Sequence, residues 1–294
     1  MLKLTENFLS EEGKKLISNS QLYRSNTVVL INPDKIPEQF QRPADDTVFE
    51  CDLFVDSNTP ATPIRQSQYI IDYDRKTLFY FNLLHEGHYK HFQFPIDFKT
   101  RKQIGKPLPP HPLQANLNSQ TLLFKLGLCC GEDRVFLVYG KFFDGQNSTK
   151  DVGSIVYFDT VKEKWHEPKI AGASKSAGPI LPRNSVTCNY FKLGKSKNDP
   201  RYIYIFGGDS DEHENEGRTR IYNIVEFVML DFEANVFTHF SFKKQSLFSD
   251  QYGPYIPYLR SIALQFGDNI LILGGERFGK SIAVSEESKL FCFK

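Results

Sequence analysis

A single tryptophan and two methionines stand among 294 residues, and the five cysteines keep no motif spacing. Cys51, Cys129, Cys130, Cys188 and Cys292 are odd in number and scattered, with no CxxC pair. Such a set encodes neither a disulfide framework nor a zinc site. Charge of one sign is also missing: 36 Lys and Arg face 35 Asp and Glu, a formal net charge of +1. Without a basic excess there is no electrostatic case for a nucleic-acid partner. No apolar run approaches the roughly 18 residues of a membrane span. The opening MLKLTENFLSEEGKKLISNS lacks the apolar stretch of a secretion signal. A reduced cytoplasmic chain without a membrane span is the expectation.

What is present is aromatic. Phe and Tyr number 26 and 14, and aromatics make up 14 % of the chain. Aromatic and β-branched side chains suit half-buried pleated surfaces, so the bias points to an all-β protein. Residues 1–21 are the exception. Leu4, Phe8, Leu9, Leu16 and Ile17 fall near one face if helical, which predicts a short N-terminal helical arm weakened by Gly13. From residue 22 to 294 the chain reads as short apolar runs separated by Gly, Pro, Asn and Asp, the pattern of strands and turns.

Two patterns recur along that stretch. Residues 77–95 (TLFYFNLLHEGHYKHFQFP), 154–170 (SIVYFDTVKEKWHEPKI) and 225–242 (VEFVMLDFEANVFTHFSF) align as hairpins. In each, a strand meets Asn82, Asp159 or Asp231, which starts a turn by bonding to its own backbone. A bulky residue (Tyr89, Trp165 or Phe237) then opens the next strand. The second pattern is an apolar strand ending in glycine: 134–140 (RVFLVYG), 202–208 (YIYIFGG) and 269–275 (NILILGG). Together they give at least four units. The last lacks its outer strand, and residues 27–32 (TVVLIN) are expected to supply it.

A strand ending in diglycine, then an aromatic strand, then a Trp-opened strand resembles the kelch repeat, one four-stranded propeller blade. Gly207-Gly208 and Gly274-Gly275 match the diglycine, and Trp165 matches the tryptophan. Gly140, alone before Lys141, departs from the pattern, and the first unit has no diglycine. Successive units lie about 70 to 80 residues apart, longer than the approximately 50 of a kelch unit. The resemblance implies a kelch-like β-propeller and a protein-binding scaffold, with no cofactor, metal or catalytic role. It places the partner contacts in loops at 141–152, 209–220 and 276–284. The residues singled out are Lys141, Asp209, Asp211, Glu212, Glu214, Arg277 and Lys280. Membership of a larger cytoskeletal or ciliary complex follows from the irregular units. The alternatives are a substrate-recruiting adaptor of a ubiquitin ligase, and a propeller-fold carbohydrate-active or oxidoreductase enzyme.

Four constellations mimic chemistry. Residues 274–281 (GGERFGKS) satisfy the phosphate-loop pattern GxxxxGK[ST] and follow an apolar strand. A phosphate loop works because a helix begins near its lysine, whereas Ile282, Ala283 and Val284 read as strand or turn. His85, His88 and His91 sit in a hairpin turn, where their side chains diverge instead of gathering on a metal. The acidic run 209–216 (DSDEHENE) lacks the glycine and ligand register of an EF-hand loop, and reads as a solvated loop facing a basic partner. Cys129 and Cys130 point to opposite faces of a strand and read as small buried hydrophobes.

Overall fold

The computed structural model describes residues 26–31, 48–112, 122–143, 149–172, 183–192, 194, 196, 198–210, 220–221, 224–243, 262–266, 269–273, 275–277, 280–282 and 289–292. Every element among them is a β-strand, as the aromatic bias requires. The helix expected over residues 1–21 lies outside the described residues. The chain divides into two compact units, Met1–Pro110 and His111–Lys294.

In the first unit, β1 (Thr27–Ile31) pairs antiparallel with β2 (Val48–Phe54). Then follow β3 (Thr62–Asp72), β4 (Thr77–His85), β5 (His88–Pro95), β6 (Lys102–Ile104) and β7 (Lys106–Pro107). Strands β3, β4, β5 and β7 form an antiparallel sheet in that order, while β6 runs parallel to β2. The apolar faces of the two sheets meet through Leu30, Cys51, Leu53, Leu78, Phe92 and Phe94. Each fully buried Leu or Phe contributes about 1.5–3 kcal/mol, so the joint between the sheets is where this unit gains stability. The strand expected to complete the last unit, within residues 27–32, is instead the partner of β2. A short apolar run fits many open sheet edges, and TVVLI does not specify which.

The second unit opens with β8 (Leu122–Phe124), β9 (Gly127–Gly131), β10 (Arg134–Phe143), β11 (Thr149–Asp159) and β12 (Lys164–His166). These form an antiparallel meander in which β8 and β9 both pair with β10. A second meander comprises β14 (Thr187–Lys192), β15 (Arg201–Phe206), β18 (Ile224–Asp231) and β19 (Val236–Lys243), and β13 (Lys169–Gly172) runs parallel to β19 at its outer edge. A ribbon of β16 (Asp209–Ser210) and β17 (Arg220–Ile221) branches off between β15 and β18. The last sheet is β20 (Ile262–Phe266), β21 (Asn269–Leu273) and β24 (Lys289–Cys292), with a ribbon of β22 (Gly275–Arg277) and β23 (Lys280–Ile282). The first two meanders share a core that includes Phe136, Val138, Ile155, Ile203, Ile205 and Phe237.

Two backbone details repeat among the four-stranded meanders. The second strand of each meets a left-handed kink: Asn82 has φ 62°, Tyr139 and Gly140 have 54° and 126°, and Gly207 and Gly208 have 65° and 101°. The ladder slips register around the first two kinks. Glycine takes this conformation without steric cost, whereas Tyr139 gives up about 1–2 kcal/mol to hold it. Gly140 is therefore the second residue of a kink whose first position is a tyrosine.

An aspartate opens the turn after the third strand. Asp159 Oδ1 accepts the Val161 and Lys162 N–H groups at 3.1 and 2.9 Å. Asp231 Oδ1 accepts those of Glu233 and Ala234 at 3.0 and 2.9 Å. In the first unit this role falls to Asp97, whose Oδ1 accepts the Lys99 N–H at 2.9 Å, and not to Asn82. Asn82 is buried within β4, so the hairpin of residues 77–95 is one strand out of step with the later two. The strand after that turn, β6, carries the buried Gln103, as β12 carries Trp165 and β19 carries Phe237, but β6 pairs with β2 instead of returning on β5.

Candidate functional site

Beyond each kink the second strand continues into a ribbon with the returning third strand. In two of them a first-strand segment also pairs, Thr62 and Pro63 with Leu84 and Leu83, and β8 with residues 141–143. In β4 and β5, residues 83–85 pair with 88–90. In β10 and β11, residues 140–143 pair with 149–152. Strands β16–β17 and β22–β23 are the same feature after β15 and β21. Ribbon and aspartate turn occupy opposite ends of a third strand: β11 begins in its ribbon at Thr149 and ends at Asp159.

Two of these ribbons leave from one place. The Gly140 N–H donates to the Arg183 carbonyl at 2.9 Å. A Cβ on Gly208 would lie 2.9 Å from Arg183 Cδ and 2.7 Å from Val186 Cγ1. The kinks after Val138 and Phe206 thus flank the same residue. Glycine at 208 is needed for that close approach as well as for its φ.

Arg183 anchors the edge from inside, with 0 % exposure. Its Nη1 and Nη2 donate to Glu226 Oε1 and Oε2 at 3.1 and 2.5 Å, a bidentate geometry that the planar guanidinium allows and lysine does not. The Tyr139 hydroxyl donates to the same Oε2 at 3.0 Å, and the guanidinium lies 4.9 Å from the Tyr139 ring centroid. His239 Nε2 stands 3.1 Å from Oε1. Burial pushes the Glu226 carboxyl up, but the Arg183 charge and the contacts around it win and hold it at about 2. Burial and then the Glu226 charge push the Tyr139 phenol well above its ordinary value, so the hydroxyl stays a donor. None of Tyr139, Arg183, Glu226 and His239 exceeds 2 % exposure. The cluster fixes positions; it does not present a reactive group to solvent.

The residues singled out in the sequence divide three ways. Lys141 lies inside β10 and is buried, in register with Asp151 and Phe124, and not on a loop. Asp209 opens the β16 ribbon opposite Ile221, and Arg277 faces Lys280 across the β22–β23 ribbon. Asp211, Glu212, Glu214 and Gly274 lie outside the described residues. Gly275 begins β22, and Trp165 packs against Phe158 and His111 at 5.2 and 5.0 Å between ring centroids.

Lys280–Ile282 is a strand paired with Gly275–Arg277, so among the described residues no helix begins at the lysine of the segment resembling a phosphate loop. His85 and His88 are register partners at a hairpin end, while His91 is buried with its Nδ1 3.2 Å from the Asn82 N–H. Among the described residues no group of three or more His, Cys, Asp or Glu is placed to hold a metal ion. No helix among them is long and apolar enough to cross a membrane.

Sequence reasoning missed Arg183, Glu226, His239 and the role of Tyr139. A signal existed for two of them. Glu226 alternates with Val228 and Leu230, and His239 with Phe237, on the inward face of their strands. A charged or polar residue on an apolar face implies a buried partner.

No family model matches the chain, and no curated protein matches it. Among solved structures it is similar to one described as "Structure of YjhT", at a TM-score of 0.47 and 11 % identity, covering 79 % of this chain and 67 % of that one. A likeness of that degree does not bear on fold or function.

Proposed function

We propose that the chain is a kelch-type β-propeller acting as a non-catalytic scaffold. It binds a protein partner through its ribbons, as a subunit of a larger cytoplasmic assembly of cytoskeletal or ciliary type. The observation that carries this reading is the pair of kinks flanking Arg183. They direct two ribbons of different length and charge from one rigid edge. Recognition sites commonly take this form, with variable connections on a constant frame. The blade-like part of the reading is supported by antiparallel meanders that repeat the kink and the aspartate turn, as propeller blades do.

Reversing the charge of Asp209, Asp211, Glu212 and Glu214 to lysine tests the acidic ribbon. Partner affinity is expected to fall by about tenfold or more through lost electrostatic complementarity, with an unchanged thermal unfolding midpoint. A variant that keeps every partner at full affinity removes the acidic ribbon from the binding surface.

A further inference from the structure

Tyr139 occupies a backbone conformation that suits it poorly. Its φ of 54° is left-handed, in a position held by Gly207 in the next meander, and a bulky residue there persists only when its surroundings over-determine it. Those surroundings are on the page. The hydroxyl reaches Glu226 Oε2 in the neighbouring meander at 3.0 Å, and the ring lies against the Arg183 guanidinium. Glu226 also accepts two bonds from Arg183, neither of which involves the tyrosine.

The kink also splits β10 in two. Register against β11 shifts between Val138 and Gly140, and the Gly140 N–H turns to the Arg183 carbonyl. Residues 134–138 pair with β9 and the lower half of β11, whereas 140–143 pair with the start of β11 and, at 141–143, with β8, so the two halves are separate hydrogen-bonded blocks. We propose that the Tyr139 hydroxyl is a latch. Bonded to Glu226, it holds the left-handed kink and fixes the ribbon against the second meander. Released, Tyr139 returns to a common φ and the ribbon of residues 140–143 and 149–152 moves as one block with β8, which pairs with residues 141–143. The latch serves recognition only on the reading of the ribbons as a binding surface; as a conformational device it stands apart from that reading.

The test is hydrogen exchange on the full chain carrying Tyr139→Phe. Loss of a bond to a charged group should speed exchange of the ribbon amides by about tenfold or more. Amides of residues 127–131 and 134–138, below the kink, should keep their rates. Unchanged ribbon exchange, or an equal rise through β9, β10 and β11, overturns the latch. Should the variant not fold, the wild-type protein decides by NMR: a Tyr139 hydroxyl proton slow enough to observe is expected, and its absence overturns the proposal. Ribbon exchange that rises as expected, beside partner binding that survives charge reversal, would sink the binding reading and leave the latch standing.

Discussion

At the scale of single residues, the account rests on a charge pair sealed from water. Arg183 and Glu226 are both buried and bonded through two parallel contacts. Removing one partner leaves the other ionised in a medium that solvates it poorly. Arg183→Met should therefore cost about 3–5 kcal/mol of stability in urea unfolding. Changing both, Arg183→Met with Glu226→Leu, should restore much of that loss, because a buried pair exchanged for apolar side chains is close to neutral. Equal losses in the single and double variants would contradict the pairing. Acid should expose the same chemistry. Burial opposes the Glu132 carboxylate too, but hydrogen bonds from Arg201 and Lys192 outweigh it, and both Glu132 and Glu226 are held at about 2. An unfolded glutamate titrates near about 4.3, so the unfolded chain binds more protons as pH falls. The stability these groups give is complete above about pH 4.5 and is lost between there and about pH 2. Urea midpoints should stay flat down to about pH 4.5 and then drop; a drop beginning near about pH 6.5 would point to a histidine instead.

At the scale of elements, the kink and the aspartate turn organise each meander, and only part of this was legible in the sequence. Strands showed as aromatic and apolar runs, and Asp159 and Asp231 were identifiable as turn openers because each was followed by polar residues before the next strand. Asn82 deceived for a physical reason. Asparagine both starts turns and tolerates left-handed φ, and here it does the second, so the sequence pattern sets the first repeat out of step and gives Asp97 no distinguishing mark. Diglycine marked the kink at 207–208, but a tyrosine at positive φ has no signature in sequence, because only its distant partner holds it there. The kink makes a graded prediction. Gly208→Ala puts a methyl 2.7 Å from Val186 Cγ1 at a φ of 101°. Gly87→Ala, at a φ of 77° with nothing within 4 Å, costs only the backbone strain of about 1–2 kcal/mol. Thermal unfolding should show Gly208→Ala clearly less stable than Gly87→Ala. Equal midpoints would mean that close packing at the kink does not matter.

At the scale of the whole molecule, the proposed scaffold reading turns on which end of the strands would meet a partner. The third strand β11 carries both candidates: its ribbon begins at Thr149 and its aspartate turn follows Asp159. The turn end offers Lys162 and Lys164, both exposed. Lys150 belongs to the ribbon half of β11, and Lys280 to the β22–β23 ribbon. A scaffold that binds through its ribbons engages one end and leaves the other to solvent. The most direct measurement is lysine cross-linking in the native cell, followed by purification of the full chain and mass spectrometry of the linked peptides. Links from partner proteins should concentrate on Lys150 and Lys280. Links concentrated on Lys162 and Lys164, or a chain that links to no partner at all, would contradict the account.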